Sequence, residues 1–151
     1  MVDTNLLLLY GVGLFDKSLI TTFKRTNKYT VADFELVSGV ARKCARLITT
    51  PHILSEVSNL ALGRLRDTQP KCLESFVSLI QEAHELHIEK DVILAADTFR
   101  SFGIPDAGIV ELARRGGYLV LTDDFPLAGY LQSHDYPVLN LNHLRTQDWL
   151  D

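Results

Sequence analysis

The chain has 151 residues, 46% of them hydrophobic and 23% charged, with a formal net charge of -4 and two cysteines. That length fits one domain with a core large enough to need no disulfide or structural metal, so residues 1–151 read as a single domain. Two isolated cysteines exclude a disulfide framework and a thiolate zinc site and favour a reducing cytoplasm, while the negative charge excludes coating of nucleic acid by bulk attraction but leaves room for a local basic rim.

The first element to place is "MVDTNLLLLYGVGLF", in which Asp3 stands between an opening Met-Val and four leucines. Its apolar run, Leu6 to Phe15, is broken by two glycines and falls well short of the roughly 20 residues of a membrane span. No membrane partner is expected, and a first charge that is negative argues against a signal peptide. Asp3 and Asn5 suit an Asx turn at a strand end, and the leucines fit a helix or a continuing strand equally.

Next, "TVADFELVSGVARKCARLI" places Val37, Val40, Ala41, Cys44 and Ile48 on one helical face, and Thr30 and Asp33 have capping-box spacing at its start. "TPHILSEVSNLALGRL" reads as a helix with Thr50 as N-cap and Pro51 in its first turn. "KCLESFVSLIQEAHEL" keeps the helical period, and "DVILAADTFRSFG" reads as a short helix closed by Gly103. The clearest unit comes last: "IPDAGIVELARRGG" as helix, "YLVLT" as buried strand, "FPLAGYLQS" as helix and "PVLNL" as strand. Such alternation implies a parallel sheet with helices on both faces.

In open parallel sheets ligands gather beyond the carboxyl ends of the strands, and four acidic positions fall at such places. Asp106, in a first turn, could simply favour the helix dipole. At about 100° per residue, however, it projects into the apolar face in line with Ala113, where a lone carboxylate is costly unless paired or bound to metal. Glu56 lies at the edge of the face made by Ile53, Val57, Leu60 and Ala61, a place where glutamates are usually solvated. Asp123 and Asp124 end "YLVLT", and either suits the N-cap of the helix beginning near Phe125. Carboxylates that converge with no Lys or Arg between them repel, and a hard divalent cation is the common remedy. "HELH" at 84 to 87 lacks zincin spacing, and the chain has no Gly-rich phosphate loop.

"VDTN", "HILSEVSNL", "IPDAGIVELA" and "YLVLTDDF" together resemble a PIN domain over nearly the whole chain. The resemblance implies a three-layer α/β/α sandwich with a central parallel sheet and a ribonuclease dependent on Mg²⁺ or Mn²⁺. It implies Asp3, Glu56, Asp106 and Asp124 as catalytic and metal-binding residues. Asn5 and Thr122 match the accompanying polar positions, and Asp123 is left as a neighbour or cap. RNA is the implied substrate; for a toxin of the VapC-like group, an antitoxin protein and a homodimeric assembly are the candidate partners. "LFDKSLITTFKRTNKYTVADFELV" is extra material relative to those toxins.

Substrate phosphates approaching an acidic pocket call for cations at its rim, and the candidates are Lys24, Arg25, Lys28, Arg42, Lys43, Arg114 and Arg115. Two rival functions remain. A haloacid-dehalogenase-like phosphatase would want a second Asp where position 5 is Asn. A PIN-fold module binding RNA or protein with an idle site would keep the fold without the chemistry.

Overall fold

The four leucines belong to a helix, α1 (Thr4–Phe15), which is buried from Leu6 to Leu9 and again at Gly11, Val12 and Gly13. A helix apolar on every side is stable only when surrounded, and α1 is the central element of the fold. Its two glycines let aromatic rings in. A Cβ at Gly11 would lie 2.1 Å from the ring of Phe76, and one at Gly13 would lie 2.2 Å from the ring of Phe34.

The computed structural model describes residues 1–148. After α1, a 3-10 turn (Lys17–Leu19) and an irregular segment lead to α2 (Val31–Lys43), whose start carries the expected Thr30/Asp33 capping box. β1 (Ile48–Thr49) follows, then α3 (Pro51–Val57), capped by Thr50 as its sequence suggests. A π turn (Ser58–Leu62) joins α3 to α4 (Gly63–Thr68). α5 (Pro70–Glu82) brings Phe76 to α1, and β2 (His84–Glu85) pairs in parallel with β1. The helix expected through Leu86 therefore stops at Glu82, because His84 and Leu86 donate their amides to Leu47 and Thr49 across the β1–β2 pair.

The stretch read as one short helix from Asp91 is interrupted at Ala96, which separates α6 (Lys90–Ala95) from α7 (Asp97–Arg115). α7 is itself broken at Gly103, where φ is +79°. Its second part starts with Ile104 and Pro105, as read from sequence, and stops at Gly116 with φ +80°. The chain closes with β3 (Val120–Thr122), α8 (Phe125–Ser133), β4 (Val138–Asn140) and α9 (Leu141–Asp148).

The result is a mixed α/β fold, 68% helical, whose strands form two small parallel pairs rather than one continuous ladder. β3 pairs with β4 from Val120↔Val138 to Thr122↔Asn140, and Val2 bridges to Leu121 on the other side of β3. Segments of two or three residues contribute few ladder bonds, so helix packing around α1 supplies most of the core. A cavity of about 280 Å³ lies between Val2 and Leu121 on one side and, on the other, Leu47 and Ala83, the residues that precede β1 and β2. Among the described residues no helix is long and apolar enough to cross a membrane.

Candidate acidic site

Parallel pairing puts Asp3, Thr122 and Asn140 at one end of three adjacent extended segments. Asp3 is buried there and is the N-cap of α1. Its Oδ1 accepts the Leu6 amide at 2.9 Å, and its Oδ2 accepts the Thr122 hydroxyl and, at 3.1 Å, the Asp123 amide. Burial first, then the Asp123 charge, push its carboxyl up to about 7 against the bonds that favour ionisation. Asp3 therefore both caps a helix and is held at a buried strand end.

Asp123 points inward. Its Oδ2 accepts the Tyr29 hydroxyl at 2.6 Å and the Lys28 ammonium at 2.9 Å. Tyr29 is buried, and burial with the Asp123 carboxylate beside it drives the phenol far above its ordinary range. Asp124 is the N-cap of α8: its Oδ1 accepts the Leu127 amide at 2.7 Å, and its own amide donates to the Thr122 hydroxyl at 3.0 Å. Of the adjacent pair, then, Asp124 is the cap, and Asp123 is the one charged group acting on both Asp3 and Asp106. Asp124 also acts on Asp106.

Asp106 is half-buried, in the first turn after the Gly103 break, among the buried Ile109, Val110 and Ala113. Among the described residues its side chain forms no hydrogen bond. Burial, then the charges of Asp124, Glu56 and Asp123, push it up to about 6. Glu56 is half-buried, and its Oε2 accepts the Thr4 hydroxyl at 2.7 Å, which ties α3 to the first turn of α1. Beside it, an open groove of about 300 Å³ is lined by His52, Ser55, Glu56, Asn59, Ile104 and Pro105.

The structure thus brings Glu56, Asp106, Asp123 and Asp124 into one electrostatic group, with Asp3 joined through Asp123. As they stand, no three acidic, histidine or cysteine side chains among the described residues form a ready metal-binding group. No family model, curated protein or solved structure matches the chain.

Of the supporting residues, Thr122 is buried and bonds Asp3, as expected. Asn5 forms no side-chain hydrogen bond among the described residues. Of the expected rim cations, only Lys28 bonds a site carboxylate. Arg42 and Lys43 end α2, about 18 Å along the helix from the Thr30 end near Asp123. Arg114 and Arg115 end α7, about 12 Å beyond Asp106, and Arg114 pairs with Glu111 there. Those four are corrected to the far ends of α2 and α7, because each helix runs away from the site and none of the four bonds a site carboxylate.

Sequence reasoning missed a clamp behind the acidic loop. Asn142 and Asn140 donate their side-chain amides to the backbone carbonyls of Asp123 and Asp124, at 3.1 and 3.3 Å. Arg145 bonds Asn142 at 2.8 Å and forks onto Asp33 at 2.6 and 2.8 Å. Burial works to raise Asp33, but the bonds from Arg145 and Thr30 win and hold it below the ordinary range. Asn140 was detectable, since it ends a strand as Asp3 nearly does. Tyr29 and Arg145 had no local signal.

Proposed function

We propose that the protein is a divalent-metal-dependent ribonuclease, with its two strand pairs read as parts of the central sheet of a PIN-like α/β/α sandwich. Asp106 carries this reading: a half-buried carboxylate without a hydrogen-bond donor, among three others, and with no cation acting on it. All the donors are carboxylate oxygens, the set that suits Mg²⁺ or Mn²⁺ rather than a thiophilic metal. Asp106, Asp124 and Asp3 would hold the ion, and Glu56 stands on the facing helix to hold a second ion or to orient water. When bound, such a cation acidifies water and offsets the charge that grows on a scissile phosphate.

The protein's own groups do the positioning. Thr122 and the Leu6 and Asp123 amides fix both oxygens of Asp3. Thr4 sets the reach of Glu56, whose carboxylate would take a proton from water. Tyr29 and Lys28 hold Asp123 against the repulsion of its neighbours. In this reading the chain acts on RNA in the cytoplasm, and a toxin role would add an antitoxin as its partner.

The test is cleavage of mixed, unstructured RNAs by wild type and Asp106→Asn, with Mn²⁺ and with EDTA. Cleavage is expected only from wild type with Mn²⁺. Cleavage that persists in EDTA, or survives undiminished in Asp106→Asn, refutes the assignment.

A further inference from the structure

The segment that joins α1 to α2 does more than deliver Tyr29. Between it and α4 lies a groove of about 330 Å³ lined by Leu19, Thr22, Phe23, Lys24, Arg64, Thr68 and Gln69. Both charged residues of the lining are cations, in a protein whose net charge is -4. Among the described residues neither Lys24 nor Arg64 forms an ion pair, whereas neighbouring Arg66 pairs with Asp67 and Lys17 pairs with Glu35.

The groove is connected to the acidic site in two ways. Glu56, Leu60, Arg64 and Thr68 recur every fourth residue along α3, the π turn and α4, so the helix that carries Glu56 continues to the groove about 12 Å away. The π turn leaves the Leu60 carbonyl able to receive a side chain, and Arg25 donates its Nε to it at 3.0 Å. The segment from Lys24 to Lys28 thus runs from the groove to Asp123, with Arg25 anchored to the Leu60 carbonyl between them.

We propose that this groove binds the sugar–phosphate backbone of single-stranded RNA that runs on to the acidic site, with Lys24 and Arg64 each facing a phosphate. The inference rests on the nuclease reading for the choice of RNA. Two repelling surfaces would otherwise meet, because an acidic site cannot draw in a polyanion unaided; the cationic groove supplies the attraction where the metal does not. Thr22 and Thr68 donate their hydroxyl protons to the Leu19 and Arg64 carbonyls, so their oxygens are acceptors on the groove side. An acceptor there suits a ribose 2′-hydroxyl, which DNA lacks.

The experiment measures binding of a labelled, unstructured RNA of about a dozen nucleotides by fluorescence anisotropy, over a range of salt in EDTA. Lys24→Gln/Arg64→Gln is compared with Arg42→Gln/Lys43→Gln, which loses the same charge at the far end of α2. The first variant should bind at least tenfold more weakly at low salt and lower the slope of log K against log salt by about 1.4, at about 0.7 per phosphate contact. The second should stay close to wild type, and DNA of the same sequence should bind wild type more weakly than RNA.

Equal losses in the two variants, or no RNA binding by wild type at low salt, overturn the proposal. If a polyglutamate peptide binds as tightly as RNA and loses affinity equally in Lys24→Gln/Arg64→Gln, the groove is a dock for acidic protein and the RNA assignment falls. Cleavage separates the two readings. Wild type that cleaves in Mn²⁺ while Lys24→Gln/Arg64→Gln keeps the same KM leaves the nuclease reading standing and removes the groove. RNA binding with the expected losses, but without cleavage by wild type, does the reverse.

Discussion

Asp106→Asn keeps the shape of a side chain whose charge Asp124, Glu56 and Asp123 all oppose. In EDTA the variant should therefore be more stable than wild type, by about 1–3 kcal/mol. Mn²⁺ should raise the melting temperature of wild type clearly and that of the variant far less, since a ligand bound only to the folded state stabilises by mass action. Thermal melts of both proteins check this, and an unchanged Mn²⁺ increment in the variant would show Asp106 to be structural. Asp3→Asn is a poorer probe. Its amide would turn a donor either towards the Thr122 hydroxyl and the Asp123 amide or towards the Leu6 amide, so fold and site would suffer together. Tyr29→Phe removes one buried donor to a carboxylate and should cost about 1–3 kcal/mol. Metal-dependent cleavage should fall with it, because Asp123 then has only exposed Lys28 to hold it. A melting temperature equal to that of wild type would mean that Asp123 has moved to another donor.

Among the elements, those set by adjacent residues were legible in the sequence. The Thr30/Asp33 capping box, the Thr50–Pro51 start and the Gly116 stop each rest on side chains within a few positions of the backbone groups they satisfy. The Asp123/Asp124 pair was legible as a place but not as two roles, because either residue can cap α8, and Tyr29, 94 positions earlier, is what draws Asp123 inward. The extent of the strand pairing was not legible for the same reason: an apolar run signals burial, but whether it meets a partner strand is decided elsewhere in the chain. Gly103 offers a test at this scale. A Cβ there meets nothing within 4 Å, so Gly103→Ala is opposed only by its φ of +79° and should cost about 1–2 kcal/mol. Urea titration measures it, and a cost near zero would mean that the break before Asp106 is free to take another conformation. Arg145→Lys keeps charge but cannot fork onto Asp33, and should release α9 from α2 at a cost of about 1–2 kcal/mol, with reduced cleavage through the Asp123–Asp124 loop.

For the whole molecule, Asp3 at about 7 and Asp106 at about 6 both lie above the 3.8 of an unperturbed aspartate. The metal-free folded state thus binds protons more tightly than the unfolded chain between roughly pH 4 and 7, and its stability should fall as pH rises through that window and level off above it. Asp33 acts in the opposite sense, its contribution being lost as pH falls through its lowered value. In EDTA the urea midpoint should accordingly be higher near about pH 5 than near about pH 7.5, and Mn²⁺ should narrow or reverse the difference. A midpoint that rises between those values without metal would contradict the burial of Asp3.

The pairing of Val2 with Leu121, and of Asp3 with Thr122 and Asp123, spans up to 120 positions of sequence. During synthesis at roughly 5–20 residues per second, Asp3 waits on the order of ten seconds for the residues that hold it. Phe34 and Phe76 emerge earlier and can cover α1 in the meantime. No shorter stretch of nascent chain contains the acidic group, because Glu56, Asp106 and the loop at 123–124 arrive in that order and the last closes it. Under the proposed nuclease function, the chain would thus be made beside its own message without the means to cut it, until the loop that completes the site has left the ribosome.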